Sequence, residues 1–165
     1  MRVVPLNIHP KGLVFYMKSV NGMKVTFPSR SSNESFARSV VASFVAQLDP
    51  AVDELVDIRT AVSEAVTNCI VHAYPDNIGE VTIVARIYPT GRVVIKVRDK
   101  GIGIENIEQA MEPLFTTGGE ERYGLGFSVM DSFTDKLKVT SKKGKGTVVT
   151  LEKYITMRQR QAKQF

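Results

Sequence analysis

The sequence contains one cysteine, Cys69, which excludes an intrachain disulfide. A lone free cysteine is typical of a reducing cytoplasm, where we expect this protein to reside. No stretch approaches the roughly 20 apolar residues that a membrane-spanning helix requires. Residues 1–22 also lack a signal-peptide pattern, because polar residues and prolines interrupt every apolar run. The sequence therefore predicts a protein with no membrane partner.

The net charge of +5 is concentrated in two basic stretches, residues 136–145 and 158–163. Neither stretch is interleaved with aromatic side chains, as a surface for single-stranded nucleic acid would be. Runs of this kind are usually solvated faces. We therefore expect no direct nucleic-acid partner.

The 165 residues fit a single domain with its own core. Hydrophobic periodicity and turn residues predict a strand at 23–28, helices at 31–48 and 49–73, strands at 81–87 and 93–97, a helical turn at 107–111, a helix at 124–133, and strands at 137–140 and 147–151. Ser31 and Glu34 match a capping box for the first helix, and Asp49 followed by proline matches a cap for the second.

Hairpins dictate antiparallel pairing, so we expect an α/β two-layer sandwich with a mixed, mostly antiparallel sheet and helices on one face. Residues 23–152 would form one domain and residues 153–165 a C-terminal tail. Whether residues 1–22 are a genuine N-terminal extension stays open at this point.

Glu64 and Asn68 lie four residues apart on the predicted second helix, so their side chains share one side of it, with His72 a further turn along. The core-facing stripe of this helix is Ile58, Val62, Ala65, Val66, Cys69 and Ala73. A carboxylate base beside an amide oxygen that binds Mg²⁺ is what transfer of a nucleotide phosphoryl group needs. His72 has two open interpretations, a contact to the nucleotide or a structural histidine.

Asp99, Gly101 and Gly103 come directly after a predicted strand. A carboxylate there can accept a hydrogen bond from an exocyclic base amine, and the two glycines let a ring approach the backbone. Taken alone, the pattern is also typical of an ordinary turn, so two interpretations stay open here: a turn, or a site for a nucleotide base.

Gly124, Leu125 and Gly126 precede a helix, where exposed N–H groups and the helix dipole favour phosphate. Arg122 stands just before them and can place a positive charge on the terminal phosphate. Thr117 lies in a polar, glycine-containing loop that suits a lid. Taken one by one, these elements are also typical of glycine caps, an exposed arginine and a polar loop, so a phosphate site is one of two open interpretations here.

The order of these elements resembles that of the gyrase and histidine-kinase type ATPases, over roughly residues 23–151. Residues 33–38, 47–50, 64–68 and 113–117 carry a narrower similarity. In these segments the sequence resembles the anti-sigma serine kinases of endospore-forming bacteria. By this resemblance, the fold is expected to be the Bergerat-type ATP-binding fold.

The resemblance implies an ATP-dependent protein serine/threonine kinase that binds ATP or ADP with Mg²⁺. Glu64 would be the general base and Asn68 the ligand that holds Mg²⁺. The remaining nucleotide contacts that it implies are Asp99 to the adenine amine, Gly101 and Gly103 along the ring, and Thr117, Arg122, Gly124, Leu125 and Gly126 around the phosphates. Arg38 matches the arginine through which this family contacts its protein partners.

The partners implied by the resemblance are a sporulation sigma factor of the sigma-F type, which would be bound and inhibited, and an anti-anti-sigma protein phosphorylated on serine. A homodimer formed through the first strand and helix is also expected. Two alternatives remain open: a general-stress anti-sigma kinase of the same family, and a non-catalytic module that binds a sigma factor when ATP is present. The ATP-binding half of a sensor histidine kinase is disfavoured, because the chain has only His9 and His72 and no preceding pair of long helices.

Overall fold

The computed structural model describes residues 18–112 and 125–156. In these ranges the elements run β1 (Asn21–Pro28), α1 (Ser32–Val45), α2 (Val52–Asn68), β2 (Glu80–Ile87), β3 (Arg92–Asp99), α3 (Ile107–Met111), α4 (Leu125–Phe133), β4 (Lys136–Lys142) and β5 (Gly146–Tyr154). A 3₁₀ turn, Ala46–Leu48, follows α1, and a π-helical turn, Cys69–Ala73, extends α2. None of the helices in the described ranges combines the length and apolar character needed to span a bilayer.

The five strands form one sheet in the order β1-β2-β3-β5-β4, and each neighbouring pair is antiparallel. The helices pack on one face of it, which confirms the predicted two-layer α/β sandwich. The prediction allowed for a mixed sheet, but the described strands contain no parallel pair. The pairs β2–β3 and β4–β5 are hairpins, which are antiparallel by construction. The pairs β1–β2 and β3–β5 are joined through helices, and they are antiparallel as well.

The helix α2 is the central element of the helical layer, between α1 and α4. Its predicted core stripe is confirmed, because all six of its members are buried. Extended by the π-helical turn, it also reaches Ala73, as predicted. In α1 and the 3₁₀ turn after it, the apolar spacing of the sequence predicts a shared face that includes Phe36, Val41, Val45 and Leu48. The last three are buried as predicted, but Phe36 is 44% exposed. Ala37 is buried instead, while the Phe36 ring packs edge-on against Phe27 at the rim, with centroids 5.8 Å apart.

The predicted capping box of α1 does not form. The side chain of Ser31 makes no capping hydrogen bond, and its backbone is already helical. Glu34, the other half of the box, instead pairs with Arg38 one turn later. Glu34 therefore pairs with the guanidinium of Arg38 on its own helix and not with the backbone amide of Ser31.

The predicted cap of α2 at Asp49 is also wrong. Asp49 adopts a left-handed conformation with φ of 47°, and the helix begins at Val52. The N-cap is Ala51, whose backbone N–H donates to the carboxylate of Glu54 at 2.8 Å. A carboxylate in the first turn thus caps the helix in place of a side chain before it.

The outer face of the sheet is basic. Lys24, Lys96 and Lys138 lie in one cross-strand row, separated by Val84 on β2 and Thr150 on β5. All three lysines are exposed, and no ion pair among the described residues includes them. This face is therefore a solvated surface that carries net positive charge.

Candidate nucleotide-binding site

A cavity of about 250 Å³ opens between α2, the end of β3 and the start of α4. Three of the predicted site residues line it: Asn68, Asp99 and Gly103. The remaining lining residues are Ala65, Cys69, His72, Ala73, Ile102, Ile104, Ala110, Phe127, Thr147 and Val149. Residues of α2, of the segment from Asp99 to Gly103 and of α4 therefore line one cavity. Its lining is apolar apart from a few polar groups, as is usual for small-molecule sites.

Asp99 is 4% exposed and is held by two backbone amides. Its Oδ1 accepts hydrogen bonds from the N–H of Gly101 at 2.9 Å and the N–H of Thr147 at 3.1 Å. The carboxylate is thereby fixed at the cavity wall by its own loop and by β5. Sequence reasoning missed Thr147, since its contribution is a backbone group 48 residues further along the chain.

Asp99 also contacts Cys69, whose Sγ lies 3.6 Å from Oδ2. Burial raises the pKa of the Cys69 thiol well above its ordinary value, and the adjacent Asp99 carboxylate raises it further. The thiol is therefore a protonated, weak donor to the aspartate. On the same wall, burial lowers the pKa of His72, which keeps its imidazole neutral over a wider pH range.

Gly101 and Gly103 are required for different reasons. A Cβ on Gly101 would lie 2.0 Å from the carbonyl oxygen of Ala73, the residue that ends the π-helical turn. This close approach lets the N–H of Ile102 donate to the same oxygen at 2.9 Å. Gly103 has φ of +72° and lines the cavity. Gly101 therefore brings the loop onto the helix and does not line this cavity, whereas Gly103 does.

Gly126, in the first turn of α4, lies against both predicted chemical residues of α2. A Cβ at this glycine would be 3.3 Å from Oε2 of Glu64 and 3.4 Å from both amide atoms of Asn68. Leu125, which begins α4, is 54% exposed. Thr117, Arg122 and Gly124 lie outside the described residues, so their predicted roles stay predictions.

Glu64 lies one turn before Asn68 and is half-buried. Burial raises the pKa of its carboxyl group, and the carboxylate of Glu34 raises it further. No described residue donates a hydrogen bond to this carboxylate. Its oxygens are therefore available to accept a proton.

Arg38 is fixed across the α1–α2 interface. Its Nη1 donates to Oε1 of Glu34 at 2.7 Å and to Oγ of Ser63 at 3.1 Å, and Ser63 in turn donates to Glu34 at 2.9 Å. Arg38 and Glu64 line one open groove, together with Val56, Arg59, Thr60 and Ser63. The predicted base and the predicted partner-binding arginine therefore share a surface that the sequence did not indicate.

Comparison with known proteins identifies the domain and the family. The model of the histidine kinase-like ATPase domain matches residues 27–153. The anti-sigma F factor of Thermoanaerobacter sp. (strain X514) is 57% identical over 140 residues, which cover 84% of this chain and 97% of that protein. The anti-sigma F factor of Clostridium kluyveri (strain ATCC 8527) is 56% identical over 135 residues, 81% of this chain and 94% of that protein. The chain belongs to the anti-sigma F factor family.

The fold of this anti-sigma F family member is also found among solved structures. The crystal structure of the RsbU and RsbW domains of a Mycobacterium tuberculosis protein aligns with a TM-score of 0.62 and 18% identity. The alignment covers 82% of this chain and 32% of that one. At this identity the likeness concerns the fold alone, and it agrees with the predicted ATP-binding architecture.

Proposed function

We propose that this protein is an ATP-dependent protein serine kinase that also binds and inhibits a sigma factor of the sigma-F type. ATP would occupy the cavity between α2 and α4, and the phosphoryl acceptor would be a serine of an anti-anti-sigma protein. The observation that carries the proposal is the position of Gly126, where an added Cβ would touch both Glu64 and Asn68, beside a cavity that Asp99 lines.

The adenine end of the nucleotide is assigned to Asp99. Its Oδ1 accepts from two backbone amides, so the exocyclic amine would donate to Oδ2, whose described donor is the weak thiol of Cys69. Gly103 would lie along the ring, and Gly101 would hold the loop in place. Leu125 and Gly126 begin α4, so the phosphates would approach the helix N-terminus there, with Thr117, Arg122 and Gly124 completing the contacts.

The donor set suits a magnesium ion carried by nucleotide and not a metal cage built by the protein. The described residues include no group of three or more His, Cys, Asp and Glu side chains that could hold a metal. Mg²⁺ at phosphate sites uses one or two protein oxygens, phosphate oxygens and water. Asn68 lines the cavity and would supply such an oxygen. The ion would neutralise charge on the phosphates.

The transfer step is assigned to Glu64. Its carboxylate would take the proton from the serine hydroxyl as the serine oxygen bonds to the γ-phosphorus. The bond from that phosphorus to the β–γ bridging oxygen breaks, and ADP leaves. A half-buried carboxylate with a raised pKa suits this role, since a base works best when its pKa approaches the working pH.

The sigma-binding half of the proposal rests on the family. The relatives are named anti-sigma F factors. Arg38 is the residue of this chain that we assign to the partner contact, held toward the groove by Glu34 and Ser63. We also propose that the protein acts as a homodimer.

The variant Glu64→Gln tests the proposal. Loss of the base should lower phosphoryl transfer from labelled ATP to an anti-anti-sigma protein by about 10²–10⁴-fold. Binding of a fluorescent ATP analogue should change by less than about two-fold, because Glu64 is not among the residues that line the cavity.

Three results would each contradict a part of the proposal. Transfer by Glu64→Gln at the wild-type rate would remove Glu64 as the base. If the wild-type protein binds ATP and sigma F but never phosphorylates the antagonist, the non-catalytic module is the correct description. A preference for a general-stress sigma factor over sigma F in the same binding assay would favour the general-stress branch.

A further inference from the structure

Glu64 lies between α4 on one side and an open groove on the other. Toward α4 it lies against Gly126, and the next turn of α2, at Asn68, lines the cavity. On its other side it lines the open groove with Arg38, Val56, Arg59, Thr60 and Ser63, which we call the α1–α2 groove. If the cavity holds nucleotide, the acceptor must reach the Glu64 carboxylate by another route.

That route is the α1–α2 groove. A hydroxyl that loses its proton to Glu64 must come within about 3 Å of the carboxylate. Toward α4, even a Cβ added at Gly126 would stand 3.3 Å from Oε2 of Glu64, so there is little room for a serine side chain between them. The groove is open to solvent, so a serine on a protein surface can enter along it.

The composition of the groove indicates what accompanies that serine. Arg59 is exposed, and the ion pairs among the described residues do not include it. Arg38 has a pair with Glu34, but its described hydrogen bonds use Nη1 alone. Val56, 50% exposed, adds an apolar contact on the same helix face. Beside this apolar residue the groove therefore offers Arg59, a cation that forms no ion pair with the described residues.

We propose that Arg59 is a substrate-binding residue that takes an acidic side chain of the phosphoacceptor protein near the serine that Glu64 deprotonates. This inference rests on the proposed kinase function. Arg59 precedes Glu64 by five residues, so about 7.5 Å along the helix axis separates the two positions. An acid within a few residues of the serine spans that distance. Arg38 would meet a second polar group of the same partner at the far wall of the groove.

The test uses the anti-anti-sigma F protein of Thermoanaerobacter sp. (strain X514), the organism of the relative that is 57% identical to this chain. Arg59→Ala should raise the KM for this protein about ten-fold, and Arg59→Glu should raise it further, with kcat much less affected. Affinity for a fluorescent ATP analogue should stay within about two-fold of wild type. Lys138→Glu is the matched control, since it makes the same charge change on the opposite face of the sheet and should leave KM unchanged.

A charge-swap experiment separates recognition from a structural effect. Each acidic surface residue of the substrate is reversed to lysine in turn and assayed with Arg59→Glu. At least one reversed substrate should recover most of the lost kcat/KM with this variant while being a poorer substrate for wild type. An unchanged KM in Arg59→Glu overturns the inference, and so does a raised KM that no reversed substrate restores. Failure of the wild-type protein to phosphorylate any form of the substrate instead refutes the proposed function, on which this inference depends.

Discussion

Gly126→Ala should separate stability from activity, because the added methyl group helps the helix and harms the site. In a helix, alanine is more stable than glycine by about 0.5–1 kcal/mol. For a chain of this size that corresponds to a rise in Tm of about 2 °C. Against this, the new Cβ would stand 3.3 Å from Oε2 of Glu64 and 3.4 Å from the amide atoms of Asn68. These side chains must give way by a few tenths of an ångström, so the net change in Tm should lie between zero and about 2 °C.

The same displacement should slow phosphoryl transfer. A misplacement of about 1 Å at a reacting group costs on the order of 100-fold in rate. A shift of a few tenths of an ångström, with partial shielding of the carboxylate, should therefore lower kcat about ten-fold. Single-turnover transfer and thermal denaturation measure the two effects. Gly22→Ala in β1 is the control, because its Cβ would meet ordinary contacts of 3.5 and 3.7 Å far from the site. The reasoning fails if Gly126→Ala transfers phosphate at the wild-type rate, or if it unfolds many degrees below wild type.

Three further outcomes follow from the site. Burial and Glu34 raise the folded-state pKa of Glu64, so its contribution to stability is present at acidic pH and lost as the pH rises through that pKa. Glu64→Gln should therefore raise Tm at neutral pH and leave it unchanged in acid. A lower Tm at neutral pH contradicts this. Gly101→Ala places a Cβ 2.0 Å from a backbone oxygen and should lower the free energy of unfolding by about 1–3 kcal/mol in urea titrations, whereas wild-type stability would mean that the loop moves freely. Asp99→Asn puts an amide donor where the adenine amine donates, so ATP affinity should fall at least ten-fold, with the loss for inosine triphosphate much smaller; an equal loss for both nucleotides would remove Asp99 as the reader of the base.

The parts of the fold that sequence predicted well are those governed by local periodicity. The stripe from Ile58 to Ala73 repeats at helical spacing and is buried throughout. The β2–β3 hairpin follows from alternation around the turn at Gly91, which has φ of 79°. The predictions of the two helix caps were wrong, because other groups nearby take the partners. Glu34 pairs with Arg38, and Glu54 accepts from the backbone N–H of Ala51. A pattern search sees the residue types but not the competition between partners.

The candidate site divides in the same way. Asn68, Asp99 and Gly103 were expected to meet, and they line one cavity. The contacts that hold them in place were beyond prediction, because they join distant parts of the chain through backbone groups, as between Asp99 and Thr147. Gly101 was expected to lie along a ring, but its neighbour is the carbonyl of Ala73. Arg59 was not predicted, because the sequence does not show that this exposed arginine lines the same groove as Glu64 and Arg38.

The lysine row across the sheet limits how two copies of this chain can meet. Lys24, Lys96 and Lys138 would confront their own counterparts if two sheets stacked face to face, and like charges in contact are costly. If two copies associate, these charges would favour contact through an edge of the sheet, which among the described strands is β1 or β4, or through the helical layer. A pairing along β1 would join two five-stranded sheets into one of ten, with every lysine row turned to water.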